Sequence, residues 1–64
     1  MNGFQKLIVN DAIDDPSKLT DWEYDFVNDL VDREETALTN LEPDGYKLSD
    51  KQNAIVNRIS QKYQ

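Results

Sequence analysis

The sequence contains no cysteine and no histidine. Without cysteine there is no disulfide framework, no thiolate metal site and no thiol nucleophile. Without histidine the side chain that titrates nearest neutrality is absent, and with it the usual catalytic triads and the commonest zinc ligands. Glycine and proline number two each in 64 residues, so the chain is neither collagen-like nor a low-complexity linker. Long apolar runs are missing too. None exceeds three residues, as in Leu7-Ile8-Val9, against the roughly 20 that a membrane span requires. Met1-Asn2-Gly3-Phe4 does not open a basic and then apolar leader, so no signal peptide is expected. Together with the lack of cysteine, this predicts a cytoplasmic location, or the host cytoplasm for a viral protein.

Catalytic and metal-binding patterns fare no better. There is no Gly-rich phosphate loop, and Ser17, Ser49 and Ser60 have no imidazole to activate them. A calcium loop begun at Asn40 would put Glu42, Asp44 and Gly45 in suitable places. Its twelfth position would be Lys51, where a bidentate Glu is needed, and Pro43 falls inside it. No metal and no cofactor are expected, and paired-carboxylate chemistry needs a cleft that so short a chain has little room to build. A non-enzymatic protein is the expectation.

What the chain does have is charge, unevenly placed. The net charge is −6. Residues 1–46 carry twelve acids against Lys6, Lys18 and Arg33, a balance of −9, while residues 47–64 carry Lys47, Lys51, Arg58 and Lys62 against Asp50, a balance of +3. An acidic bulk opposes general affinity for phosphate backbones. It suits solubility and favourable contact between an acidic helix and a basic one.

Three helices are expected, over residues 3–14, 21–38 and 50–63. In the first, Phe4, Leu7, Ile8 and Ala12 have helical spacing behind Asn2 as N-cap. Leu7-Ile8-Val9 also fits a short strand at residues 5–9, but a lone strand has nothing to pair with. Asp14-Asp15-Pro16-Ser17 breaks the pattern. Leu19-Thr20-Asp21-Trp22-Glu23 then reads as a capping box, with Leu19 and Tyr24 at the hydrophobic-staple positions. Trp22, Phe26, Val27, Leu30 and Val31 form an apolar stripe, opposite Asp25, Asp29, Asp32 and Glu35. Glu42-Pro43-Asp44-Gly45 is turn chemistry. Leu48-Ser49-Asp50-Lys51-Gln52 repeats the capping box, and Ile55, Val56, Ile59 and Tyr63 follow on one face.

The two box-led helices correspond at an offset of 29 residues: Thr20 with Ser49, Glu23 with Gln52, Phe26-Val27 with Ile55-Val56, Leu30 with Ile59. An old duplication and shared helix grammar both produce such a pattern. Either way the expectation is an all-α single domain, residues 1–64: a hairpin of two antiparallel amphipathic helices plus an N-terminal helix. Phe26, Leu30, Ile55 and Ile59 are expected to be the most buried side chains.

The layout from Leu19 to Val27, a variable connector, and Leu48 to Ile59 with Lys62-Tyr63 resembles a short module of bacteriophages and prophages. That module occurs alone or attached to proteins of DNA replication and recombination. The resemblance covers residues 19–63 and rests on Trp22-Glu23 with Phe26, and on Ser49 with Gln52 and Ile59. It implies a phage setting and a neighbourhood of nucleic-acid metabolism, and it carries no catalytic residues.

Three functions follow as expectations. The first is a non-catalytic accessory protein that binds a host or phage protein of nucleic-acid metabolism and modulates or inhibits it, using Trp22 or Tyr24 as an aromatic anchor beside Asp25, Asp29 and Asp32. The second is an acidic DNA mimic that uses those aspartates to block a DNA-binding enzyme. The third is direct nucleic-acid binding through Lys47, Lys51, Arg58 and Lys62. A homodimer is a further alternative.

Overall fold

The computed structural model describes residues 1–63 and is all-α. Helix α1 spans Gly3–Asp14, α2 spans Asp21–Thr39 and α3 spans Asp50–Ser60. Short 3-10 turns at Pro16–Lys18 and Gln61–Tyr63 follow α1 and α3. The third helix therefore tightens before its expected end, and the segment over residues 5–9 is helical rather than extended. No helix among the described residues is long and apolar enough to cross a membrane.

Each helix begins at a reciprocal capping box. Thr20 and Ser49 accept from the N–H groups of Glu23 and Gln52 (both 3.2 Å), whose side chains accept from the cap N–H in return (both 2.9 Å). The same device opens α1. Asn2 accepts from the N–H of Gln5 at 2.8 Å, and Gln5 accepts from that of Asn2 at 3.0 Å. With two of the first turn's unpartnered donors satisfied at each start, three short helices gain definite beginnings. Pro16 ends the first by denying it a further N–H.

The helices alternate in direction. Met1 reaches Glu34 near the end of α2, while Lys62 reaches Glu23 at its start. Gln5 donates to Asn53 at 2.9 Å, so α1 and α3 run parallel, both opposed to α2. The pair α2–α3 is thus antiparallel. The first helix does more than cover it, because α1 packs on both others, and they approach α1 more closely than they approach each other.

This central position of α1 rotates the buried faces away from the expected ones. The fully buried side chains are Val9, Val27, Leu30, Val56 and Ile59, with Ile8 and Ala12 beside them. Leu30 and Ile59 meet expectation. Phe26 and Ile55 do not: both are only half-buried against the core. In α2 the buried line is Glu23, Val27, Leu30, Glu34 and Ala37, a spacing of four and three residues that keeps one meridian facing inward. Phe26 lies about 100° round the helix from Val27 and so falls at the edge of that line.

Truncation of Ile59 to Ala is expected to cost about 2–5 kcal/mol, enough to abolish the cooperative transition of so small a domain. Phe26→Ala should cost clearly less, and denaturant titrations of the two variants measure the difference. Replacing Thr20 or Ser49 by Ala should each cost about 1 kcal/mol, read as a fall of several degrees in Tm.

Candidate protein-binding surface

Both buried glutamates of α2 are spoken for structurally. The carboxylate of Glu34 is a hub. The Met1 ammonium donates to both of its oxygens at 3.0 Å, and the N–H of Tyr46 donates to Oε1 at 2.6 Å. The ammonium also donates to the carbonyls of Tyr46 (2.7 Å) and Asp44 (3.2 Å). Burial alone would raise the Glu34 pKa. The hydrogen bonds from the ammonium and from Tyr46 N–H, with the positive charges of the ammonium and Lys6, outweigh it and hold the pKa below the ordinary glutamate value. Gly45 makes the wrap possible. Its φ is +70°, and a Cβ there would lie 1.8 Å from Glu34 Oε1. Glu23 is the second buried acid. A hydrogen bond from Lys62, then one from the Thr20 N–H, lowers its pKa.

The candidate anchors lie elsewhere. Trp22 is 57% exposed and stacks on Phe26, with ring centroids 5.5 Å apart and planes inclined by 13°. Phe26 in turn rests on the core. The indole is therefore presented outward on a seated ring. Tyr24 is 44% exposed. Two helix positions separate it from Trp22, a rotation of about 200°, so the two aromatics occupy opposite flanks of α2 and form no single patch.

The ridge between them is acidic. Asp21, Asp25 and Asp32 are exposed and have no ion-pair partner among the described residues. Asp29 differs, because the Nε of Arg33 donates to it at 2.6 Å and offsets its charge. On the basic side, Lys47, Lys51 and Arg58 are exposed. Lys62 is engaged, since its ammonium donates to Glu23 and to the Lys18 carbonyl. The basic candidates also fail to gather: Lys47 lies in the connector near Met1, whereas Arg58 lies towards the opposite end of α3.

In the sequence Glu23 reads as a cap, and Glu34 belongs to no motif. A signal was present, because both fall on the four-and-three spacing of Val27, Leu30 and Ala37. Acids on an inward meridian ask for buried partners. No family model, curated protein or solved structure matches the chain.

Both glutamates ionise more readily folded than unfolded, so their contribution is present above the unfolded pKa and is lost as pH falls through the lower folded value. Stability should hold from neutrality to about pH 5 and drop below about pH 4. Glu34→Gln should lose about 3 kcal/mol at pH 7 by leaving a buried cation without its counter-charge. The gap between variant and parent should narrow as acid protonates Glu34 through its lowered folded pKa, followed by thermal unfolding at a series of acidic pH values.

Proposed function

We propose that this chain is a non-catalytic accessory protein of phage type, acting in the cytoplasm of its host. It binds a protein of nucleic-acid metabolism and modulates or inhibits it. The observation that carries this reading is Trp22, a large indole kept 57% exposed at a well-formed helix start. Tryptophan is over-represented among residues that dominate binding energy. Its stack on Phe26 limits the freedom it loses on docking. The nucleic-acid setting comes from the motif layout of residues 19–63 and its resemblance to a phage and prophage module.

One observation favours a second reading, the DNA mimic. Asp21, Asp25 and Asp32 stand unpaired along one ridge of α2, with steps of about 6 and about 10 Å along the axis. Direct nucleic-acid binding is less well supported, because Lys62 is already paired and Lys47 lies apart from Arg58.

The readings separate by salt and by substitution. An aromatic anchor gives binding that survives moderate salt and fails when the anchor is cut. A mimic gives binding that falls steeply with salt and tolerates loss of one ring. With the partner captured from host lysate and identified, Trp22→Ala should weaken affinity at least tenfold, a loss of about 1.4 kcal/mol or more. Asp25→Asn/Asp29→Asn/Asp32→Asn should keep most of it. Calorimetric titration at two salt concentrations measures both, and the reverse pattern puts the mimic first.

A further inference from the structure

Helix α2 ends in a Schellman motif. The N–H of Glu42 donates to the carbonyl of Ala37 at 3.0 Å, and that of Leu41 donates to the carbonyl of Leu38 at 3.1 Å. The residue after the C-cap in this motif must take left-handed backbone, and glycine usually supplies it. Here it is Leu41, with φ of +63°, the one non-glycine residue of positive φ among the described residues. A Cβ crowds the following carbonyl in that conformation. Nothing inside the chain explains the leucine, for its side chain is 88% exposed, more than any other large apolar residue. A glycine would close the same turn without strain. A residue held in a disfavoured conformation and pointed at solvent is a reason to look outside the chain.

A receiving site lies at the same end of the molecule. A groove of about 290 Å³ runs between α1 and α2 over the buried Val9, lined by Met1, Val31 and Leu38 together with Lys6, Asn10, Glu34 and Glu35. Leu38 is itself 48% exposed. Lys6 makes no ion pair among the described residues, while Glu42, next to Leu41, is exposed and equally unpaired. Leu38, three residues before Leu41, joins the groove to the knob, and exposed side chains of opposite charge, Lys6 and Glu42, accompany the two. That is the requirement for a two-fold contact, in which the same patch on both copies is its own complement.

We propose that a second copy of this chain occupies the groove. Leu41 of each copy inserts between α1 and α2 of the other, and Glu42 of each meets Lys6 of the other. The contact leaves Trp22, at the far end of α2, free for a different partner, so it stands or falls separately from the anchor. Its small apolar centre suits weak association, with Kd on the order of 10–100 µM.

Leu41→Gly tests this with effects of opposite sign. At low concentration, where the chain is monomeric, the variant should melt several degrees higher because the turn is relieved. Sedimentation equilibrium between about 10 µM and 1 mM should show the parent approaching dimer mass and the variant at least tenfold weaker in association. Lys6→Glu and Glu42→Lys should each weaken the dimer, and an equimolar mixture of the two should restore it by re-forming opposite-charge pairs. A parent that stays monomeric at the highest concentration overturns the proposal. So does a Leu41→Gly variant that melts higher yet associates like the parent, or a mixture that fails to recover association.

Discussion

The carboxylate of Glu34 stands where three separate stretches of chain meet. It takes the ammonium of Met1 on both oxygens and the N–H of Tyr46 on one, and the same ammonium bonds the connector through the carbonyls of Asp44 and Tyr46. A buried charge is tolerable only with its partners in place, so the entry to α1, the end of α2 and the run into α3 are fixed together or not at all. The rest of the connector follows. Gly45 passes too close to Glu34 for any side chain, and Tyr46 carries the link onward by donating its hydroxyl to Gln52 at 3.0 Å.

At the other end the charges are arranged more loosely. Lys62 joins Glu23 to the Lys18 carbonyl, the hydroxyl of Tyr63 donates to the Asp15 carbonyl at 2.6 Å, and Lys18 lies over the Tyr63 ring. Desolvation, then the negative charge of Asp15, Glu23 and Asp11, raises the Tyr63 pKa and keeps the phenol protonated as a donor. Polar contacts thus close both ends, and the apolar core lies between them. Residues outside this scheme are the ones that invite a function. Trp22 adds a ring above a seat already filled by Phe26, and Leu41 holds strained backbone in the open.

Much of the architecture was legible because it is written locally. Thr20 with Glu23 and Ser49 with Gln52 mark two helix starts within four residues each, and Pro16 marks an ending. The box at Asn2 and Gln5 obeys the same rule in less familiar residue types. The inward faces were harder to place. A stripe holding Phe26, Val27, Leu30 and Val31 is wide, and its centre depends on where the neighbouring helices stand. Only the position of α1 between the other two selects Val27 over Phe26. Among the candidate site residues, sequence placed Trp22 and Tyr24 on one helix start and the aspartates opposite the core. It did not reveal that Arg33 offsets Asp29, that Lys62 is taken by Glu23, or that Trp22 and Tyr24 diverge. Those facts concern side-chain pairing over a turn of helix or across the whole chain, where spacing alone does not decide.

Three amphipathic helices of alternating direction can be stacked in two ways, with the third on either side of the plane of the first two. Apolar stripes scarcely distinguish these mirror topologies, since oily faces match oily faces in both. Directional contacts do. Gln5 with Asn53, Glu23 with Lys62, and Tyr46 with Gln52 join particular flanks of particular helices. The pairs Gln5–Asn53 and Glu23–Lys62 in particular join α3 and the turn that follows it to one flank of each partner helix. Polar pairs of this kind, weak as net contributors to stability, serve to favour one stacking over its mirror.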